Sequence, residues 1–448
     1  EDNRIIINTT QTDSNIGGFA GYNLGTIKTA VSGVTINSVS TNVGGIVGLN
    51  DTAQSESTGL VETGVISAEA SDIIIATLDS VGQPVASASV SEYVGGIVGK
   101  NNGKVQKFVI NSSTLFGKRF VGGVAGINLQ EIGNLDVGTA SNTSQVVGVL
   151  TLSAEQDVGV ITSINETDAV IQNLLVKALD GQTIKVTYTK TDSDSTPAGL
   201  LLAENKSTIK DVTFESRTQG SELTKLDTSA LGSHTNVGLI GVNSGEISNI
   251  NMKDVKITAS ENDSNIGFVG TNKAIISDIT LSGVLTSNAL KNIGMVAGYN
   301  EKNASIVRVK LGYETSKRWN LTGTSIGTVV GFNEGKISGY QVTGKLEINA
   351  ENSVNVGGIV GLNNGQILEL DGENLITGIT ITGGTNVGGA IGQNKENITL
   401  TQSTPIVNAI TISGNENIGG FVGINSAKLS GTVTKSVITS SSLGGRLS

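Results

Sequence analysis

Asn42-Val43-Gly44-Gly45-Ile46-Val47-Gly48-Leu49-Asn50 decides the fold, because the same nine letters return at Asn355–Asn363. Working outward, the frame Asn-(Val/Ile)-Gly-Gly-(Ile/Val)-(Val/Ala)-Gly-x-Asn closes on Asn23, Asn50, Asn101, Asn128, Asn165, Asn205, Asn243, Asn272, Asn300, Asn333, Asn363, Asn394 and Asn425. Other good copies are Asn15–Asn23, Asn386–Asn394 and Asn417–Asn425. The copies ending at Asn165 and Asn205 are worn, with Ser163 and Ala203 in the place of the second-half glycine. Those ending at Asn243 and Asn272 are one residue short. By length alone, 448 residues suggest about three domains; a fixed internal period replaces that count with one array.

Four residues after the closing Asn stands a branched apolar residue: Ile27, Val105, Ile132, Ile209, Ile247, Ile276, Ile337, Ile367, Ile398 and Leu429. With φ standing for an apolar residue, the pattern φ-x-x-φ-x-φ starts there, as in Ile247, Ile250, Met252 and in Val105, Phe108, Ile110. A turn and a third alternation follow, such as Val34 and Ile36 or Ile410 and Ile412. Strand alternation of this kind, three short strands per unit, predicts an all-β chain wound as a parallel β-helix of about thirteen coils. Strand–crossover–strand connections favour the right-handed coil. The expected layout is an N-terminal strand, cap or assembly segment over 1–14, a continuous solenoid over 15–430, and a C-terminal strand with a polar tail over 431–448. Insertions are expected near 51–92, with its own apolar run at Ile73 to Ile75, and near 138–156, 177–197 and 217–234. These read as enlarged loops or strands leaving the coil.

Asn suits a turn because its amide tolerates left-handed backbone angles and bonds to the local backbone. Stacked coils would convert one Asn per coil into a ladder of amides, satisfying polar groups that the bend buries. The glycines allow backbone angles or a close sheet approach that a Cβ forbids. The frame resembles the GLUG-type glycine-rich repeat of bacterial surface proteins, and the copies at 42–50 and 355–363 carry nearly the whole signature. The likeness covers about residues 15–430. It implies an exported bacterial protein of the adhesin-like kind, or the non-catalytic stretch of a large cell-wall metallopeptidase, and leaves the binding partner open.

Composition narrows the function classes. Gly is 60 of 448 and aromatics are only 3%, so the core is thin and aliphatic. A net charge of −10 argues against a nucleic-acid partner. Cysteine is absent, which removes disulfides and thiolate metal sites. No apolar run approaches the roughly 18 residues of a membrane helix, and the start at Glu1 reads as a processed, mature form.

The search for chemistry returns no catalytic, cofactor-binding or metal residue. His234 is the single histidine, in the loop Gly232–Asn236, so neither a His-Glu-x-x-His zinc helix nor a Ser-His-Asp triad is expected. Gly323-Thr324-Ser325-Ile326-Gly327 matches Gly-x-Ser-x-Gly but overlaps a repeat opening rather than a strand-to-helix elbow. Asp192 and Asp194 before Pro197 read as a solvated loop rather than a calcium site. Arg4, Arg119, Arg217, Arg308, Arg318 and Arg446 are too far apart in repeat phase to cluster. The Thr-x-Thr pairs Thr189/Thr191, Thr380/Thr382 and Thr399/Thr401 fall at different phases, against an ice-binding face. The Asn-x-Ser/Thr sites at Asn8, Asn142, Asn205 and Asn320 are read as compositional and unglycosylated.

The expectation is therefore a non-enzymatic extracellular structural or adhesive solenoid. Residues before the closing Asn, such as Tyr22, Leu49, Tyr299 and Phe332, would form a variable outer row. Self-association end to end is the expected partnership, with a host or matrix ligand also open, and with no membrane insertion. The competing expectations are a carbohydrate-active β-helix enzyme, which would gather three or more acidic residues in a groove, and a passive spacer of a larger cell-wall protein.

Overall fold

The computed structural model describes residues 5–29, 33–52, 58–62, 73–133, 144–178, 184–188, 197–216, 235–259, 264–287, 291–368, 370, 374–399, 407–430 and 438–440. The chain divides into two compact units, residues 1–232 and 233–448. Both are parallel β-solenoids. In the first, one coil runs through a first arm at Asn42–Gly44 and Val47–Asn50, a second at Leu60–Glu62 and a third at Ile73–Ala76. In the second, the same circuit is Asn355–Gly357 with Val360–Asn363, then Gln366–Leu368, then Leu375–Gly383. Each arm pairs in parallel and in register with the same arm one repeat away: Asn50 faces both Asn23 and Asn101, and Asn363 faces both Asn333 and Asn394.

The three glycines each answer a different backbone contact. In the signature at 42–50, a Cβ on Gly44 would collide with the Val47 carbonyl oxygen, so this glycine permits the bend that splits the first arm. A Cβ on Gly45 would collide with the Gly96 carbonyl of the following coil, and one on Gly48 would lie 2.5 Å from the Ile16 amide nitrogen of the coil before. The copies one residue short lose the bend: Asn236–Asn243 and Asn265–Asn272 are unbroken strands of 8 residues.

The spacing of three inside φ-x-x-φ has an equally local cause. A strand alternates faces, so two inward residues three apart require one break in the alternation. The break is a left-handed residue two after the first inward one: Lys107 (φ 49°), Asp211 (56°), Asn249 (52°), Asp278 (55°), Arg308 (52°) and Gly339 (64°). Ile247 and Ile250, on either side of Asn249, are both buried, as are Ile337 and Tyr340 beside Gly339. The residues four after the closing Asn accordingly line the core from Ile27 to Ile398, and only Leu429 is half-buried. In several coils of the second unit the second and third arms run on as one strand, as at Glu246–Ala259 and Lys336–Ala350.

The apolar run Ile73–Ile75, expected on an insertion, is instead the third arm of its coil. It pairs with Val34–Ile36 on one side and Ser113–Leu115 on the other. Ser144–Ala154 and Ile184–Tyr188 fill the same third-arm position in later coils. Extra residues in these coils lie between arms two and three, at 63–72, 134–143 and 179–183, outside the described residues as is 217–234. Others follow the third arm Ile73–Ala76, where residues 77–92 form an excursion with an antiparallel bridge between Leu78 and Pro84 and a short 3-10 turn at Ala86–Ala88.

The largest fully buried side chain, Trp319, meets Tyr313 edge-on at 6.0 Å and donates its ring N–H to the Gly283 carbonyl at 3.1 Å. The Tyr313 hydroxyl is buried without a hydrogen-bond partner. Tyr313→Phe removes that unpaired group, so thermal unfolding should show stability unchanged or raised by up to about 1 kcal/mol. Ile247→Asp places an unpaired charge in the core and should cost about 4 kcal/mol or more in urea unfolding, whereas Ser248→Asp, on the outer face, should cost less than about 1 kcal/mol.

Candidate functional site

Every closing Asn in the described coils joins a ladder. In the first unit the side-chain amide of Asn23 donates to Asn50 (2.8 Å), Asn50 to Asn101 (3.0 Å), Asn101 to Asn128 (2.8 Å), Asn128 to Asn165 (2.8 Å) and Asn165 to Asn205 (2.9 Å). In the second, the line runs from Asn243 through Asn272, Asn300, Asn333, Asn363 and Asn394 to Asn425 at 2.8–2.9 Å. Most of these amides also close their own turn, bonding to the residue two positions on. Asn394 Nδ2 donates to the Glu396 carbonyl at 2.8 Å, and Asn394 Oδ1 accepts the Glu396 amide at 3.4 Å. Except at the last rung these side chains are buried. The ladder stands as expected, but part of its rationale changes. The closing Asn residues hold strand geometry, and the left-handed positions lie elsewhere. What selects Asn here is its paired donor and acceptor.

A second ladder, on the opening Asn, escaped the sequence reading. Asn42 donates to Asn15 (2.6 Å), Asn265 to Asn236 (3.0 Å), Asn292 to Asn265 (2.8 Å), Asn386 to Asn355 (2.9 Å) and Asn417 to Asn386 (2.9 Å). Donation here runs toward the earlier coil, opposite to the closing ladder. The signal was present, since the best copies of the signature begin with this residue.

In the first unit the opening ladder stops where Tyr93, Phe120 and Asp157 take the opening positions of three successive coils. The side-chain oxygen of Asn42, Oδ1, is left buried without a partner among the described residues. Tyr93 and Phe120 stack at 4.8 Å and 5°, Arg119 lies over the Phe120 ring at 4.5 Å, and Lys100 over Tyr93 at 5.6 Å. Arg119 pairs with Asp157 at 3.3 Å. Burial pushes the Asp157 carboxyl above its ordinary range, only partly opposed by Arg119.

On the outer face both units repeat one clasp across three coils. The Tyr22 hydroxyl donates to Asp51 (3.0 Å), which also accepts from Asn102 (2.5 Å); the Tyr299 hydroxyl donates to Glu334, which also accepts from Asn364 (3.3 Å). Tyr299 stacks on Phe332 at 5.1 Å. Burial pushes the Asp51 carboxyl up, but bonds from the Thr52 amide, Asn102 and Tyr22 outweigh it and hold the group below its ordinary value.

The residues singled out from sequence are not brought together. Ser325 is buried in the first arm, in register with Asn292 and Asn355, with no strand-to-helix elbow around it. Each described arginine is spoken for by a carboxylate: Arg119 by Asp157, Arg308 by Asp278 at 2.5 Å, Arg318 by Glu347 at 2.7 Å. Thr380 and Thr382 stand on a third arm, where Thr411 and Ser413 are their register partners. Asn205 is a buried ladder rung, Asn8 lies on the edge strand Ile5–Thr9, and Asn320 is exposed. His234, Asp192, Asp194, Thr189, Thr191, Thr401, Asn142, Arg4, Arg217 and Arg446 lie outside the described residues. Among the described residues, no three of His, Asp and Glu gather as a metal site, and no helix is long and apolar enough to cross a membrane.

The class defined by these features is the parallel β-solenoid. No family model, no curated protein and no solved structure matches the chain.

Asn363→Leu removes a rung and strands the Asn333 donor and the Asn394 acceptor, so it should cost about 2–4 kcal/mol in chemical unfolding. Asn364→Leu, beside it on the outer face, should cost under about 1 kcal/mol. Asp51 has a lowered carboxyl, which stabilises the fold above the unfolded value near 3.9 and loses that contribution as pH falls. Asp51→Asn should therefore be weaker than the parent by about 1 kcal/mol at neutral pH, with the gap closing as pH falls below the unfolded carboxyl value.

Proposed function

We propose that this chain is a non-enzymatic, extracellular structural or adhesive β-solenoid that associates with copies of itself. The observation carrying this reading is the separation of a constant frame from a changing outer row. Glycines and ladder amides repeat coil after coil, while the position before the closing Asn reads Tyr22, Leu49, Lys100, Ile127, Ile164 and Glu204 in register, with Ile127 and Ile164 covered and the others at least partly exposed. In the second unit it reads Thr271, which is buried, and then Tyr299, Phe332, Leu362, Gln393 and Ile424, all partly exposed. A frame that spends its polar side chains on its own cohesion and leaves one row free to change suits contact with surfaces more than turnover of a substrate. The resemblance to the glycine-rich repeat of bacterial surface proteins supports the extracellular assignment, and the absence of cysteine from the sequence is compatible with it.

Negative-stain microscopy of material from the native source, with sedimentation velocity of the purified chain over rising concentration, tests the reading. Fibres or a surface layer, and a sedimentation coefficient that climbs with concentration, are expected. A monomer at every concentration, recovered from the cytosol, would overturn it.

A further inference from the structure

The first coil of the first unit and the last coil of the second carry matching, unfinished bonds. In the coil Asn15–Asn23, the Asn15 Nδ2 has no partner among the described residues, and Asn23 Oδ1 accepts only the Gly25 amide there. In the coil Asn417–Asn425, Asn417 Oδ1 has no partner among the described residues, and Asn425 Nδ2 donates there only to its own turn, at the Ala427 carbonyl. Set one on the other in the parallel sense, Asn425 would donate to Asn23 and Asn15 to Asn417, each in the direction its ladder already runs. The apolar column agrees. The fifth position of the frame is Ile46, Ile97, Val124 and Ile161 in the first unit, and Ile359 and Ala390 in the second, all buried. The coils Asn15–Asn23 and Asn417–Asn425 instead place Phe there: Phe19 is 60% exposed and Phe421 only half-buried.

The third arm sets a condition. Ile5–Thr9 pairs with Val34–Ser38 and so precedes the first coil on the third arm. Ile438–Ser440 pairs with Ile410–Ser413 and ends the last coil on the same arm. Ile5 faces Val34 just after left-handed Gly33, and Ile438 faces Ile410 just after left-handed Ala409, so the two strands hold equivalent places. If both stayed, arms one and two would each be short by one strand, a gap of about 4.8 Å. Ile438–Ser440 makes three register pairs, and Ile5–Thr9 makes five on its own third arm.

We propose that one copy docks head to tail on a second, with its Ile5–Thr9 displacing Ile438–Ser440 from Ile410–Ser413 of the neighbour. All three arms then close, Phe19 meets Phe421, and both ladders run on across the junction. The displaced strand acts as a temporary cover for the third-arm edge, which otherwise invites unregulated pairing. This deepens the self-association reading and rests on it.

The full chain contains no cysteine, so engineered pairs report the junction. Ile6 is 63% exposed, and the exchange makes it the register neighbour of Thr411. Adjacent parallel strands lie within disulfide reach. Mild oxidation of Ile6→Cys/Thr411→Cys should give a ladder of covalent oligomers on a non-reducing gel, and Ile6→Cys/Thr439→Cys should give none. Oligomers from the second pair instead would show docking without exchange and overturn the proposal while leaving self-association standing. Oligomers from neither pair would overturn it too, and sedimentation of the unmodified chain then separates the cases: association keeps the broader reading, and a monomer removes both.

Discussion

The donation of one side-chain amide to the next, coil to coil, is the interaction on which the rest depends. A parallel coil must turn several times per circuit, and each turn buries backbone groups that the sheet cannot pair. Asn solves this because a single amide both donates and accepts, so one residue can close its own turn and still bond to identical residues above and below. That arrangement works only if successive coils stay in register. A slip of one residue would turn Asn363 outward and an outer-row side chain such as Leu362 into the bend. The ladder thus fixes register, and register is what lets Ile247, Ile276, Ile306 and Ile337 stack as one apolar column.

Close approach is the complementary constraint. The first arm folds back on itself at Gly44-Gly45 and packs its second half against the opening strand of the coil before, at Gly48. The dense backbone packing explains how a chain with so few aromatic residues holds a continuous interior. Trp319 and Tyr313 fill a local widening where the strand Ser305–Leu321 shifts register against both neighbours. Elsewhere Val and Ile are enough.

Much of this was legible in the sequence, because its determinants are local and repeat. The signature gave the period, the closing ladder and the core positions. What escaped follows from distance or from competing readings of one residue type. The role of the opening Asn was overlooked because Asn-Val-Gly also reads as an ordinary turn. Ile73–Ile75 looked like an excursion because the residues before it stretch the spacing, and only pairing with Val34 and Ser113 returns it to the coil. The left-handed residue inside φ-x-x-φ was hidden because Lys107, Asp211 and Arg308 have no common chemistry. The clasps Tyr22–Asp51–Asn102 and Tyr299–Glu334–Asn364 each join residues from three repeats, which no reading of one repeat at a time can assemble.

The two amide ladders point opposite ways, and this bears on how long such an array can grow. Aligned amides would add their dipoles, as peptide units do in a helix, and partial charge would accumulate at the two extremes. Opposed columns cancel wherever both are present. A new coil carrying both Asn residues then adds cohesion without adding side-chain polarisation along the stack. Gene duplication can extend such an array, or recombination shorten it, with no electrostatic penalty from these amides that grows with length.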